Sequence, residues 1–328
     1  MGDITETLIR EQLLVRRDRL EAVIALKPGP ELIHLLDEVD AALERMDTGT
    51  YGICEVCHEP VEEGRLIADP LVRYCLDHLS PEEQTALEND LQLAAQMQRG
   101  LLPKPNLAFG GWEVAYHYQP KGPVSGDYCD LIVREAAPPS LFFLVGDASG
   151  KGVAASMLMA HLHAIFRTLA LGGLPVEELV ERASRIFCES TLSPYFATLV
   201  CGRATASGRV ELCSAGHCTP LLLRDGRVST MELDSGLPLG MFSNGSYSAR
   251  AVELGPGDSI FLYTDGLSEA RSRSDEEYGE DRMRRALLQC LGFPPRNVID
   301  ATVRDWKAFL SGTAAADDVT IMVVRHTG

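Results

Sequence analysis

The chain predicts an α+β fold, and three features of its sequence carry that expectation. Short apolar runs from Trp112 onward are bounded by Gly, Pro and Asp, the pattern of buried strands. Two Ala- and Leu-containing segments, Val153–Leu171 and Val176–Thr191, interrupt those runs as a helix pair, so strands and helices come in blocks. Ahead of both lies a segment with neither pattern, where two helical stretches precede closely spaced cysteines. At 328 residues the chain has room for two domains.

The first helix is expected over Asp3–Leu26, with Ile9, Leu13, Leu20 and Ile24 able to share one face. Pro28-Gly29-Pro30 ends it. Leu32, Leu36, Val39, Leu43 and Met46 follow at alternating spacings of four and three, a heptad-like seam. Two such helices joined by KPGP make an antiparallel hairpin.

The stretch GTYGICEVCHEPVEEGRLIADPLVRYCLDHL comes next. Cys54 and Cys57 form a CxxC knuckle, and Cys75 and His78 a CxxH knuckle. Two such pairs across a short loop suit one tetrahedral structural zinc. His58 is the competing imidazole, and the symmetry of the second knuckle favours His78. With four protein ligands the site is closed, so it folds the segment and does not catalyse.

Ser80-Pro81-Glu82-Glu83 reads as a helix start, with Ser80 as N-cap, proline in the first position and acids in the first turn. This helix runs to about Leu102, before Pro103 and Pro105, with Leu87, Leu91, Ala94 and Leu101 able to form one face. The expected organisation is a hairpin-plus-finger module over 1–80, a linker helix over 81–105 and a larger domain over 106–328. Within the last, strands are expected at Trp112–Gln119, Tyr128–Arg134, Leu141–Val145, Tyr195–Ala204, Arg209–Cys213, Pro220–Leu223, Arg227–Glu232, Tyr247–Leu254, Ser259–Tyr263 and Val319–Arg325. Asp225-Gly226 reads as a hairpin turn. Helices are expected at Arg282–Cys290 and Arg296–Leu310.

Composition excludes some classes. The net charge of -17 disfavours nucleic acid and acidic membrane surfaces, and the first eighty residues carry eight basic against seventeen acidic residues. There is no run of eighteen apolar residues and no basic-then-apolar leader, so the expectation is a cytoplasmic protein without a membrane span. The other six cysteines, Cys129 among them, sit in apolar contexts and read as reduced packing thiols.

The chemistry is expected around LFFLVGDASGKG at Leu141–Gly152, where a buried strand leads into Gly146-Asp147 and a small-residue loop. A phosphate-cradling P-loop needs four residues between its first glycine and Gly-Lys, then Ser or Thr. Here three lie between Gly146 and Gly150, and Gly152 follows Lys151. A metal-holding aspartate fits better, because similar carboxylates recur at strand ends: Asp127 in VSGDYCD, Asp265 in DSIFLYTDGLSEA, and Asp317 and Asp318 in ADDVTIMVVR. Oxygen ligands from several strand ends suit magnesium or manganese, including a two-metal site.

In this order, GDYxD, GDxSGKG, FATL, AGHxxPLL, GLPLG, LxxGDxxxLYTDGLxEA and DDxT resemble the PPM-type metal-dependent serine/threonine phosphatases, in particular their bacterial SpoIIE/RsbU branch. The likeness runs from about Ala94 to Arg325. It implies two packed β-sheets flanked by helices and two manganese or magnesium ions. Asp127, Asp147, Asp265 and Asp317 would be the ligands, with the Ala148 carbonyl as another. It favours Asp317 over Asp318, and it puts Ser149 where wider relatives carry a histidine proposed as general acid. It further implies a phosphorylated protein substrate of the anti-sigma-factor-antagonist kind, a homodimer, and a linker helix involved in switching. The finger, through GTYGICEVC, RLIADP and YCLDHL, resembles the DksA/TraR zinc fingers, some of which act on RNA polymerase through acids at a coiled-coil tip. Here the tip is KPGP, without an acidic pair. A catalytically silent scaffold and a polymerase-binding regulator are the other readings; the aspartates at all four motif positions argue against the first, and the tip against the second.

Overall fold

The computed structural model describes residues 3–79, 81–192 and 195–328, and Ser80, the expected N-cap, lies outside them. The chain divides into two compact units, Met1–Asp90 and Leu91–Gly328.

In the first unit, α1 (Asp3–Leu26) pairs with α2 (Pro30–Thr48). Proline in the first turn opens α2. Gly49 closes it at φ 72, a left-handed conformation open to a residue without Cβ, and its N–H returns to Arg45 and Met46 carbonyls. Ile9 and Leu13 pack on Val39, Ala42, Leu43 and Met46 in a core shared with the finger residues Tyr51, Cys54, Leu66 and Cys75. The expected seam residues nearer the turn, Leu20, Ile24, Leu32 and Leu36, are only half-buried. The finger adds a short helix, α3 (Glu63–Ala68), and a 3-10 turn over Leu76–His78. Helix α4 (Pro81–Leu101) crosses the division between the units. Of its sequence-expected face, Leu87 is exposed while Leu91, Ala94 and Leu101 are half-buried, and among the described residues the buried positions are Ala95 and Gln98.

The second unit is two antiparallel-dominated sheets packed face to face. In chain order its elements are β1 (Asn106–Phe109), β2 (Trp112–Gln119), β3 (Asp127–Arg134), β4 (Ser140–Ala148), α5 (Gly152–Ala170), α6 (Val176–Ser190), β5 (Ala197–Thr205), β6 (Arg209–Ala215), β7 (Leu221–Arg224), β8 (Arg227–Thr230), β9 (Ser235–Gly236), β10 (Ala249–Glu253), β11 (Ser259–Tyr263), α7 (Asp265–Ser268), α8 (Gly279–Leu288), α9 (Pro295–Leu310) and β12 (Val319–His326). One sheet has the order β1-β2-β12-β11-β7-β8, and the other β10-β6-β5-β4-β3 with β9 beside β6. Strand alternation builds three apolar layers. Leu141, Phe143 and Val145 of β4 face the opposite sheet, where they join Val114, Ile260 and Met322. Phe142 and Leu144 face α5 and α6. The outer face of the other sheet packs Trp306 and Phe309 of α9 and Met283 of α8. This is the expected α+β sandwich with helices on both outer faces. Helix α5 is long and apolar enough to cross a membrane by length and composition, and it buries Met159, Leu162 and Phe166 against β3 and β4.

Strand β4 outruns its apolar stretch. Gly146, Asp147 and Ala148 are strand residues, because β5 pairs along the whole length of β4 and β3 pairs with it as far as Asp147. Gly146 must be glycine there: a Cβ would lie 2.7 Å from the Thr198 carbonyl oxygen. Asp225-Gly226 forms the expected turn between β7 and β8 with both residues at positive φ.

Candidate functional site

One end of the sandwich gathers the aspartates. Asp127 and Asp147 face each other across the β3–β4 ladder, and Thr198 of β5 lies on the other side of Asp147. From the opposite sheet, Asp265 opens α7 directly after β11, and Asp317-Asp318 lead into β12. Gly266 allows that approach, since a Cβ there would meet the Asp318 carbonyl oxygen at 1.9 Å.

Two threonines tie the sheets together at this point. Asp127 is buried, and its Oδ2 accepts from Thr320 Oγ1 at 2.6 Å and Thr264 Oγ1 at 2.9 Å. The Thr264 hydroxyl in turn accepts from the Thr320 N–H. Asp318 spends its carboxylate on the β2–β3 loop, accepting from the backbone N–H of Lys121 at 2.7 Å and of Gly126 at 2.9 Å. Asp317 is half-exposed, and its Oδ2 accepts from Lys151 Nζ at 3.1 Å. The Ala148 carbonyl and Asp147 Oδ1 both flank Gly126, where a Cβ would come within 2.9 and 3.1 Å of them.

The carboxylates feel one another. Burial, then Asp265, Asp317 and Asp318, push Asp147 up to about 7. Burial and then Asp317 raise Asp265; burial, reinforced by Asp147 and Asp318, raises Asp127 against the opposing Thr320 bond. Lys151 is the cation acting on both Asp147 and Asp265. Hard oxygen donors with this much unbalanced negative charge fit divalent cations such as magnesium or manganese. No three of these carboxylates close to the 4.8 Å spacing of the thiol–imidazole group described below.

Ser149, His217, His161, His163 and Cys129 have other partners or settings. Ser149 is pinned to Phe196, its N–H donating to that residue's carbonyl and its Oγ accepting from that residue's N–H, both at 2.9 Å. His217 shares a 2.8 Å hydrogen bond with Thr198 Oγ1, and burial pushes it down to about 4. His161 lies against Ser190, and His163 sits near the buried Asp130, which Arg167 holds through two hydrogen bonds. Cys129 is buried and its thiol is pushed up by that burial. Thr264 and Thr320 were not singled out from the sequence, although both lie inside the quoted motifs. Gln98 left no comparable signal.

The finger brings Cys54, Cys57, Cys75 and His78 together, all four ligand atoms within 4.8 Å of one another. Cys57 Sγ and Cys75 Sγ are 3.7 Å apart, and Cys75 Sγ is 3.3 Å from His78 Nδ1. His58, at φ 60, is not in the group. Against burial, which raises it, backbone N–H groups of Cys57, Cys75 and Val56 hold the Cys54 thiol down at about 6. Burial, Cys54 and Cys57 push Cys75 up to about 11. Three thiols and an imidazole suit tetrahedral zinc.

Comparison with known proteins matches this architecture. Residues 138–327 match the family "Stage II sporulation protein E (SpoIIE)", and residues 49–77 match the "Prokaryotic dksA/traR C4-type zinc finger". That finger match stops one residue short of His78, which stands in this chain as fourth ligand candidate. Protein IcfG of Synechocystis is 22% identical over 263 residues, spanning 72% of this chain and 41% of IcfG, so the chain corresponds to less than half of that relative. Phosphoserine phosphatase RsbU of Bacillus subtilis is 21% identical over 252 residues, covering 74% of this chain and 72% of RsbU. The SiaA-PP2C domain of Pseudomonas aeruginosa superposes with a TM-score of 0.64 at 20% identity, covering 76% of this chain and 99% of that domain. With its carboxylate-lined double sheet and its cysteine-knuckle finger, the chain belongs to the SpoIIE family of PP2C-type phosphatase domains and carries a dksA/traR-type zinc finger.

Proposed function

We propose that this protein is a metal-dependent serine/threonine protein phosphatase. The observation that carries the reading is the convergence of Asp127, Asp147, Asp265 and Asp317 from two sheets at one end of the sandwich. In this reading Asp147, the Ala148 carbonyl, Asp127, Asp265 and Asp317 hold two manganese or magnesium ions. Such ions acidify water and offset the charge that develops as a phosphoryl group is transferred.

The chain's own groups do the rest. Thr264 and Thr320 orient Asp127, leaving its other oxygen for coordination. Asp318 fixes the loop before Asp127 from beneath. Lys151 neutralises part of the carboxylate charge at the rim. Cys129 is buried and its thiol is pushed up by that burial, so this reading gives it no nucleophilic role.

The substrate is a phosphoserine or phosphothreonine on a regulatory protein, an anti-sigma-factor antagonist in partner switching, and the enzyme works as a cytoplasmic homodimer. Residues 1–80 regulate, 81–105 link and 106–328 catalyse. The finger holds one structural zinc on Cys54, Cys57, Cys75 and His78. The test is manganese-dependent phosphate release from a phosphoester by the wild type and by Asp147→Asn. Activity that requires metal and disappears in the variant supports the reading. Metal-independent activity, or activity retained by the variant, overturns it.

A further inference from the structure

Asp147 has a carboxylate on one flank and a hydroxyl on the other. Asp127 of β3 is its ladder partner on one side, and Thr198 of β5 is its partner on the other. Cross-strand partners project from the same face of a sheet, so Thr198 stands beside Asp147 on the face where Val145 and Val200 pack between the sheets. The Thr264 and Thr320 hydroxyls brace Asp127 against the opposite sheet. Thr198 has a different partner.

That partner is His217, just past the end of β6, whose Nδ1 lies 2.8 Å from Thr198 Oγ1. Gly216 places the ring: its backbone is left-handed at φ 71, and it bridges to Leu199, the residue after Thr198. His217 is only 8% exposed, and its Nε2 is buried without a hydrogen bond. From here the chain meets the end of β11. Burial pushes the His217 ring down and the Tyr263 carbonyl opposes it; burial and then Asp265 push up the thiol of the adjacent Cys218. His217 therefore stands between the strand that flanks Asp147 and the strand end that delivers Asp265. Its burial leaves the ring no face for a substrate, so its use is to hold its neighbours.

Resting on the phosphatase reading above, we propose that His217 is a positioning residue for the carboxylate cluster. Bonded to Thr198 and set against the end of β11, it fixes the spacing between Asp147 and Asp265. A hydroxyl–imidazole bond suits that task because it constrains direction as well as distance. Groups that orient metal ligands without touching the ion typically matter about tenfold or more to its affinity. A ring that merely filled space could be replaced by any apolar side chain of similar volume without moving the carboxylates.

Calorimetric titration of manganese into the full-length, zinc-loaded protein tests this without reference to catalysis. Thr198→Val keeps the shape and removes only the hydroxyl, and His217→Leu keeps an apolar filling without the bond. Each is expected to weaken manganese binding by about tenfold. The double variant is no weaker than either single one, because both changes remove the same bond. His217→Asn, which offers a polar atom where Nδ1 stands, recovers most of the affinity. Circular dichroism checks that each variant remains folded. A folded Thr198→Val protein that binds manganese as the wild type does, losses that add in the double variant, or a His217→Asn protein no better than His217→Leu overturns the proposal and leaves the phosphatase reading intact. A wild type that takes up no manganese overturns both.

Discussion

Gln98 grips both backbone polar groups of Ser125. Its Nε2 donates to the Ser125 carbonyl oxygen at 2.7 Å, and its Oε1 accepts from the Ser125 N–H at 3.0 Å. Ser125 Oγ then accepts from the N–H of Asp127, so a residue near the end of α4 sits two steps from a candidate metal ligand. The glutamine is buried, and its amide satisfies both backbone groups of a residue in the loop before β3.

Removing that amide should loosen the site. Gln98→Leu keeps the volume but leaves the Ser125 N–H and C=O buried and unpaired, at a cost of about 1–3 kcal/mol per group at most. The expected outcome is a lower denaturation midpoint together with weaker manganese binding, read by calorimetry. A variant that loses stability but binds manganese as the wild type does would limit the contact to a structural role.

Asp317 and Asp318 should separate cleanly. Asp318→Asn weakens two charge-assisted bonds to backbone N–H groups, so it lowers thermal stability by about 1–3 kcal/mol. Asp317→Asn removes a half-exposed carboxylate whose partner is a surface lysine, a loss of about 0–1 kcal/mol in stability. It should nevertheless reduce metal affinity by tenfold or more. Thermal melts and metal titrations of both variants check the ordering, and the reverse ordering would make Asp318 the ligand.

The metal-free protein should become less stable as pH rises. Asp147 is held at about 7 in the folded chain, against roughly 4 when unfolded, so folding takes up a proton between those values. Its contribution is therefore most favourable below about pH 4 and is lost progressively up to about pH 7. Tm measured from pH 5 to 8 in a chelator should fall, and saturating magnesium or manganese should flatten the slope, because the cation replaces the proton. The same competition makes metal affinity rise with pH up to about 7.

In the finger, His78→Ala should release the metal and His58→Ala should retain it. The first removes an imidazole 3.3 Å from Cys75 Sγ, whereas the second lies outside the ligand group. Zinc content of the purified variants decides between them, and loss of zinc from His58→Ala alone would reverse the assignment. Chelation of the wild type should unfold the finger, whose small core includes Cys54 and Cys75.

Much of this protein was legible in one dimension. The knuckle spacing named its four ligand candidates because a closed tetrahedral site needs short local loops. The helix pairs and apolar runs marked α+β blocks, and the turn at Asp225-Gly226 followed from glycine's tolerance of positive φ. The aspartates were visible because each borders an apolar run and a glycine or a second aspartate.

The rest waited for tertiary structure, since it depends on distances between residues remote in sequence. Gln98 and Ser125 are 27 positions apart, and Asp127 and Thr320 are 193 apart. No periodicity encodes such pairs. Strand pairing also carried β4 through Asp147, where local composition had suggested a loop, because a neighbour on each side supplies ladder bonds regardless of side-chain type. The different surroundings of Asp317 and Asp318 emerged in the same way. Adjacent residues of identical chemistry differ only in what the fold sets opposite them, two backbone N–H groups for one and a lysine at the open rim for the other.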